Sequence, residues 1–455
     1  MRNWDPLAHF HSYARFRRTG TLRASPPAVL AAGFLALIAL GTLLLSLPAA
    51  TVKPISILSA FFMATSAVTV TGLAVIDTST DLTRFGQVVL MLLVQAGGIG
   101  FVTFAVLASI TLGKRMSLTH QALALEAFNQ TNVGKINRTA LSVLRITIVI
   151  ELIIMVILTM AWRTEHTLGT SLFLGMFHAI TAFNNSGISL FPGSLALFSA
   201  SPLTLLTISG AIILGGIGFS VLSDINAKRA WAPLMPYTKI MIFGTLALNL
   251  TGFVIFWALE AGNPDTLGML PWHEQALGAW FQSVASRTAG FFSIDIGKMH
   301  DSSTLVMMLL MFIGGGSLST ASGIKVGTFI VLLAAVRSYI THRKEVVLLG
   351  RSISSETVQK SLALLLVTAA MAFVGVLVLT MIEKAPFLSI LFEVISALST
   401  TGLSRDLTPT LSAPGQIIVA VLMFAGRIGP LTLVYSIATQ RRSRIRYPEA
   451  EFQVG

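Results

Sequence analysis

Long apolar runs alternate along the chain with short polar segments, and this pattern predicts membrane-spanning helices. Roughly 20 apolar residues cross a bilayer as an α-helix, and a spanning segment must satisfy its backbone groups internally. Eight runs qualify, although the sixth is interrupted in its middle. They cover residues 28–47, 88–112, 146–162, 203–222, 240–259, 305–336, 362–382 and 417–437. We therefore predict an all-α polytopic membrane protein with eight spanning helices.

Composition and charge placement agree with a membrane location. Charged residues make up only 11% of the chain, whereas a soluble domain carries about 25%. Five alternating segments hold 22 of the 31 Lys and Arg residues but only 7 of the 19 acidic residues. These segments are 1–25, 113–146, 223–240, 337–360 and 438–455. The positive-inside rule places them and both termini in the cytoplasm, so the net charge of +12 does not indicate nucleic-acid binding.

Four internal segments resemble one another and indicate a fourfold repeat. Each contains a glycine that follows an aromatic residue by ten positions and an alanine by five. The glycines are Gly72, Gly187, Gly290 and Gly402, and the aromatic residues are Phe62, Phe177, Trp280 and Phe392. A glycine cluster follows each of them, beginning at Gly97, Gly215, Gly314 and Gly426. Each repeat is therefore predicted to contain a helix, a short helix, a glycine turn and a second helix.

The short helices define the expected architecture. A half-length apolar helix followed by a polar turn is typical of a re-entrant loop that lines a water-filled cavity. Four such loops predict four pseudo-symmetric helix–pore-loop–helix repeats around one central pore. The expected divisions are a cytoplasmic segment 1–25, repeat 1 at 26–112, repeat 2 with its preceding loop at 113–222, repeat 3 at 223–340 with a gate loop at about 313–328, repeat 4 with its preceding loop at 341–440, and a cytoplasmic tail 441–455.

The glycine turns carry little charge, but they offer backbone carbonyls and hydroxyl groups. Carbonyl rings can replace the hydration shell of potassium, and glycine permits the backbone angles that turn successive carbonyls toward one axis. The carboxyl ends of the short helices also favour a cation. The predicted selectivity filter consists of Val70, Thr71, Gly72, Asn185, Ser186, Gly187, Thr288, Ala289, Gly290, Thr400, Thr401 and Gly402. Alternatively, these glycines only allow close helix packing, which is the interpretation we favour for the later glycine clusters.

The interrupted run predicts a flexible gate. Its centre is rich in Gly, Ser and Thr, which form helix poorly in the middle of a span. Candidate gate residues are Gly314, Gly315, Gly316, Ser317, Ser319, Thr320, Ser322, Gly323, Lys325 and Arg427. The two cations lie at membrane depth, where charge is costly and often functional, and Arg427 is placed to brace the gate loop. The alternatives are a kinked helix without a gating role and, for Lys325, an ammonium that reaches the cytoplasmic interface.

Three other ionisable residues fall inside or beside the predicted membrane helices. For Arg287, three positions before a loop glycine, we expect an ion pair with Glu393 or Asp295. For Glu151 and His178 we expect structural roles. No cysteine is present, which excludes disulfides and thiolate metal sites, and no cluster of catalytic side chains indicates an enzyme.

The four loop motifs and the segment GGGSLSTASGIK resemble the superfamily of Trk, Ktr and Hkt potassium transporters over essentially the whole chain. The short termini resemble the membrane subunit of its Ktr branch. This resemblance implies sodium-dependent uptake of potassium, with K⁺ as substrate, Na⁺ as activator, channel-like passage and a plasma-membrane location. It also implies a homodimer on a cytosolic ring of KtrA-type subunits, with ATP, ADP or NAD-type nucleotides bound to that ring and no cofactor on this chain. Arg427 matches the arginine that faces the gate loop in this superfamily.

Two questions stay open at the level of sequence. An alternating-access cation symporter also uses broken helices, although four loops in phase favour a pore over two rocking halves. The basic segments set topology and contact anionic lipid, and they also suit docking of the regulatory ring.

Overall fold

The computed structural model describes residues 26–100 and 136–429. The expected cytoplasmic segment 1–25, the tail 441–455 and most of the basic segment 113–146 lie outside the described residues. The ends of two predicted runs, after residue 100 and after residue 429, also lie outside them.

The described residues form fourteen α-helices and one small hairpin. The helices are α1 (Pro26–Leu45), α2 (Ile57–Val68), α3 (Arg84–Ile99), α4 (Ile136–Trp162), α5 (Leu168–Phe183), α6 (Pro202–Ile217), α7 (Phe219–Lys228), α8 (Pro236–Glu260), α9 (Trp272–Ala285), α10 (Asp301–Phe312), α11 (Val326–Ile340), α12 (Ser355–Ile382), α13 (Phe387–Leu398) and α14 (Ala413–Ile428). The strands are β1 (Val346–Leu348) and β2 (Arg351–Ile353).

The hairpin corrects the all-α prediction in one place. Its strands pair antiparallel, and the turn between them contains Leu349 and Gly350, both at positive φ. Two consecutive positive φ angles match the twist of a two-residue hairpin, and glycine accepts such an angle without strain. The basic segment 337–360 therefore contains local β-structure that its charge pattern did not reveal.

Within residues 26–100 and 136–429, several of the predicted spans are short or bent rather than one long helix. Three described helices, α4, α8 and α12, are long and apolar enough to cross a membrane, and α6 with α7 forms a fourth if the bent pair is one span. This pair bends by 96° at Gly218, whose φ is 109°, so the predicted helix over residues 203–222 is wrong. α1 has 20 predominantly apolar residues, and the remaining short apolar helices have 10–17 residues. The glycine clusters explain the difference, because α3, α6 and α14 each end within one.

Each short helix of the predicted repeats packs against the helix that precedes it. The pairs are α1 with α2, α4 with α5, α8 with α9, and α12 with α13. Phe62, Phe177 and Phe392 are fully buried, which agrees with their repeated position. In the third repeat the buried aromatic residue is Phe281, while its predicted counterpart Trp280 is only partly buried. The helical register of α9 is therefore displaced by one residue relative to the other three short helices.

Candidate functional site

The loops after the four short helices share one backbone conformation. We call them the first (69–72), second (184–187), third (286–290) and fourth loop (399–402). In each, the final glycine and the residue two positions earlier both have positive φ. The pairs are Val70 (57°) with Gly72 (96°), Asn185 (57°) with Gly187 (70°), Thr288 (62°) with Gly290 (76°), and Thr400 (49°) with Gly402 (90°). Non-glycine residues rarely adopt such angles, so their recurrence in phase marks a specific local structure.

The four glycines, which we call the glycine ring, bring the loops together in a closed cycle. A β-carbon at Gly72 would lie 2.1 Å from the carbonyl oxygen of Ser186, and one at Gly187 would lie 2.7 Å from that of Ala289. The cycle continues from the third loop to the fourth and from the fourth to the first. The corresponding distances are 2.3 Å from Gly290 to Thr401 and 2.0 Å from Gly402 to Thr71. No side chain fits at any of these four positions, because the opposing atom is backbone.

The first and fourth loops are held mainly by their own short helices. The amide of Gly72 donates to Ser66 Oγ at 3.0 Å, and the amide of Gly402 donates to Ser396 Oγ at 3.1 Å. Both serines are fully buried on the short helix of the same repeat. These contacts attach the ring glycines to the short helices of their own repeats.

The side chain of Arg287 attaches the third loop to residues outside it, without the ion pair that we expected. Its guanidinium donates to Asn249 Oδ1 at 3.1 Å, to the carbonyl of Gly314 at 2.9 Å and to that of Thr245 at 3.4 Å. Glu393 instead accepts from Ser404 and Thr408. Arginine presents several donors in a fixed fork, and neutral oxygens on α8 and after α10 accept from its two terminal nitrogens here.

The glycine clusters pack against the ends of the short helices. A β-carbon at Gly97 would lie 1.9 Å from the carbonyl oxygen of Val68, and Gly215 and Gly426 have the same relation to Phe183 and Leu398. The close packing predicted for these clusters is therefore confirmed, and their first glycines lie in the last turns of α3, α6 and α14, as predicted. In these three clusters the last glycine has a positive φ and ends the helix; these are Gly100, Gly218 and Gly429.

The predicted gate lies in a non-helical connection between α10 and α11, residues 313–325, which we call the interrupting segment. The kinked-helix alternative is wrong, because Ile313 and Ile324 pair side by side in a parallel bridge. The amide of Gly316 donates to the carbonyl of Gly216 at 2.7 Å, so the segment lies against the break between α6 and α7. Thr320 Oγ1 lies 3.2 Å from the carbonyl oxygen of Phe183, at the end of α5.

The two predicted cations contact this segment. Arg427 donates to the carbonyl of Thr320 and to Ser322 Oγ, the latter at 3.3 Å. Its other terminal nitrogen donates to the carbonyls of Gly97 at 2.5 Å and Gly98 at 3.3 Å. One side chain thus joins α14, the interrupting segment and the end of α3. Lys325 Nζ donates back into the segment, to the carbonyl of Ala321 at 2.6 Å.

Two ionisable residues with expected structural roles are buried in polar or aromatic surroundings. His178 Nδ1 lies 2.8 Å from the carbonyl oxygen of Leu174, and the imidazole ring stacks on Phe191 with ring centroids 4.8 Å apart. Glu151 accepts hydrogen bonds from Gln95 and Asn184.

Sequence reasoning missed the residues that support the loops from behind, chiefly Gln95, Asn184 and Asn249. The available signal was an isolated amide within an apolar run, since amides inside membrane helices commonly hydrogen-bond between helices. Gln95 lies in the run 88–112 and Asn249 in the run 240–259.

Known proteins resemble this chain over nearly its whole length. The TrkH family, described as cation transport protein, matches residues 16–235 and 226–444. The Ktr system potassium uptake protein B of Bacillus subtilis is 45% identical over 95% of this chain and 98% of that protein. Its namesake in Vibrio alginolyticus is 41% identical over 94% of both chains.

A solved structure shows the same fold. The crystal structure of the potassium transporter TrkH from Vibrio parahaemolyticus matches with a TM-score of 0.69 and 21% identity, over 89% of this chain and 84% of that one. These relatives are transporters, so this chain is not an enzyme. The protein belongs to the TrkH family of cation transport proteins, in the Trk/Ktr superfamily, and is KtrB-like.

Proposed function

We propose that this chain is the potassium-selective, ion-translocating subunit of a Ktr-type, sodium-dependent potassium uptake system. The observation that carries the proposal is the closed cycle of the glycine ring, in which each glycine faces a carbonyl of the next loop. The relatives named as potassium uptake proteins support the choice of substrate.

The proposed filter uses the backbone rather than charged side chains. The carbonyls of Thr71, Ser186, Ala289 and Thr401 belong to the residues that precede the ring glycines, and all four residues are buried. Oxygens in such a ring replace the water shell of a bare cation. The carboxyl ends of α2, α5, α9 and α13 lead into the loops, and their dipoles add a favourable potential for a cation.

The interrupting segment is the proposed gate. It contacts the end of α5 through Thr320 and is bridged to α3 and α14 by Arg427. A non-helical segment held by scattered backbone and side-chain hydrogen bonds can rearrange at lower cost than a continuous helix, whose hydrogen bonds would all have to break. Movement of this segment would open the path below the filter.

The surrounding assembly belongs to the same proposal. We infer four repeats with eight spans in the plasma membrane, both termini in the cytoplasm, and contact with anionic lipid. We further infer a homodimer, Na⁺ as activator, and a cytosolic KtrA-type ring that binds ATP, ADP or NAD-type nucleotides. The name of the related Ktr system supports a partner subunit. The other features of this assembly are supported by the resemblance of the loop motifs to the Trk, Ktr and Hkt superfamily.

An alternating-access cation symporter is the second candidate. The 96° bend between α6 and α7 favours it, because broken helices recur in transporters that rock around a central site. The closed cycle of four loops favours the pore, since rocking halves would separate the contacts between neighbouring loops.

Potassium uptake into cells that lack their own uptake systems tests the proposal, with the regulatory partner co-expressed. Gly290→Ser is the test variant, because its β-carbon would meet the Thr401 carbonyl. Gly210→Ser is the matched control, since open space surrounds Gly210 in α6. Rescue by the native chain and the control, with loss of potassium affinity or selectivity in Gly290→Ser, supports the filter. Native-like uptake by Gly290→Ser contradicts it.

A further inference from the structure

The residue three positions before each ring glycine shows how that loop is held. In the first loop Thr69 Oγ1 lies 2.7 Å from Thr71 Oγ1, and in the fourth Ser399 Oγ lies 3.1 Å from Thr401 Oγ1. These contacts stay within one loop. At the same position the second loop has Asn184, whose side chain leaves the loop and reaches two other helices.

Asn184, Gln95 and Glu151 form a closed triangle of hydrogen bonds. Asn184 Nδ2 donates to Gln95 Oε1 at 2.6 Å and to Glu151 Oε1 at 3.2 Å. Gln95 Nε2 donates to the second carboxylate oxygen of Glu151 at 3.0 Å. Asn184 is fully buried and Glu151 is 8% exposed. The triangle joins the second loop to α3 and α4, which are separate segments of the chain.

The backbone of α3 is shaped to receive Asn184. A β-carbon at Gly98 would lie 1.9 Å from Asn184 Oδ1, so only glycine leaves room for this amide. Asn184 Nδ2 also lies 2.9 Å from the carbonyl oxygen of Ile180, so its two N–H groups are shared among three acceptors. The amide nitrogen is held by hydrogen bonds, whereas the oxygen packs against Gly98 without a hydrogen-bond partner among the described residues.

A carboxylate has a specific advantage at position 151. It accepts from two amide donors at once, whereas a glutamine would turn one N–H group toward another donor. Burial of a carboxylate is costly unless hydrogen bonds compensate it, and two amide donors supply that compensation. In residues 26–100 and 136–429 no lysine or arginine forms an ion pair with Glu151. Both carboxyl oxygens of Glu151 are therefore occupied by amide donors.

We propose that Glu151 is a positioning residue for ion selectivity, because it fixes Asn184 and through it the second loop of the glycine ring. The inference rests on the proposed filter and extends it to a residue on α4 that does not belong to any loop. Asn184 directly precedes Asn185, whose positive φ begins the turn toward Gly187. Rotation of the Asn184 side chain out of the triangle would release this turn and widen the ring on one side.

A swap of two side chains tests the triangle itself. Glu151→Gln breaks one hydrogen bond, since either two donors or two acceptors then face each other whichever way the amides turn. Adding Gln95→Glu restores all three bonds with the carboxyl group moved to α3. Glu165→Gln is the matched control, because Glu165 is an exposed carboxylate shortly after the end of α4.

The readouts are the apparent KM for potassium and the ratio of potassium to sodium uptake, in cells that co-express the regulatory partner. Glu151→Gln is expected to raise the KM roughly tenfold, the equivalent of ~1.4 kcal/mol, which is within the range of one hydrogen bond. The double variant is expected to recover the native KM, and Glu165→Gln to keep it. A merely structural role would lower the amount of folded protein and the maximal rate while the KM stayed native.

Purified full-length chain gives a second measurement that does not depend on transport. Potassium raises the melting temperature of the native protein if it binds the folded state. In Glu151→Gln the same rise in melting temperature should require a higher potassium concentration. In the double variant the native concentration should again be sufficient. A native KM and native shift in Glu151→Gln, with transport intact, overturns the positioning role and leaves the filter standing. Absence of potassium transport and of a potassium shift in the native chain overturns both.

Discussion

The carbonyl oxygen of Thr71 lies 2.0 Å from the position that a β-carbon at Gly402 would occupy. This contact joins the last loop of the chain to the first and closes the cycle of the glycine ring. Because both partners are backbone, neither can be moved aside as a flexible side chain can. The ring is thus a structure that only four glycines permit.

The glycine clusters should be sensitive to a single methyl group. Gly97→Ala places a β-carbon 1.9 Å from the Val68 carbonyl oxygen, and such overpacking costs about 1–3 kcal/mol of unfolding free energy. We expect a lower melting temperature for the purified variant.

The matched control for this experiment is Gly210→Ala. Nothing lies within 4 Å of a β-carbon there, and alanine in a helix is favoured over glycine by about 1 kcal/mol. Its melting temperature should equal or exceed that of the native chain. Equal destabilisation by both variants would argue against the packing role of Gly97.

Arg427 should restrain the interrupting segment. Arg427→Gln removes most of the donors that join Thr320 and Ser322 to Gly97, and each hydrogen bond from a charged group contributes ~1.5–3 kcal/mol. If the segment is a gate, loss of the Arg427 hydrogen bonds favours its open state. We expect a maximal potassium uptake rate that is severalfold higher, with the apparent affinity unchanged. Arg337→Gln, which removes an exposed charge from the last turn of α11, should leave the rate native.

A reduced rate in Arg427→Gln at native protein abundance would contradict this role. It would show that the arginine supports an open path rather than a closed one.

Arg287 should be difficult to replace even by another cation. Lysine offers one ammonium in place of a planar fork, so Arg287→Lys cannot satisfy the oxygens of Asn249, Gly314 and Thr245 together. Each lost bond from a charged donor costs ~1.5–3 kcal/mol, and we expect a clearly lower melting temperature. Arg405→Lys is a useful comparison, because Arg405 pairs with an exposed aspartate, Asp301, and such pairs contribute at most about 1 kcal/mol. Similar melting temperatures for both lysine variants would show that the Arg287 contacts carry little stability.

The loops were predictable because their signal is local and repeated. A glycine that must adopt positive φ recurs in phase four times, and the geometry at Gly72, Gly187, Gly290 and Gly402 follows that pattern. The interruption near Gly314 was predictable for a similar reason, since a run of Gly, Ser and Thr lowers helix propensity over many residues.

Features that depend on orientation were not predictable. The apolar run 203–222 reads as one helix, because hydrophobicity does not distinguish a straight span from one bent at Gly218. Arg287 has carboxylates nearby in the sequence, yet it extends toward α8 and Gly314, a choice fixed only by the packing of the third repeat. The triangle of Glu151 with Asn184 and Gln95 joins residues from three distant segments, and no periodicity brings them together.

The most direct measurement of the central claim is the position of a bound cation. Thallium replaces potassium in size and charge and is located by anomalous scattering from crystals of the purified chain. We expect a thallium peak on the axis of the glycine ring, within coordination distance of the carbonyls of Thr71, Ser186, Ala289 and Thr401, that excess potassium displaces and excess sodium does not. A thallium site elsewhere in the protein, with the ring empty, would contradict the assignment of the four loops as the selectivity filter.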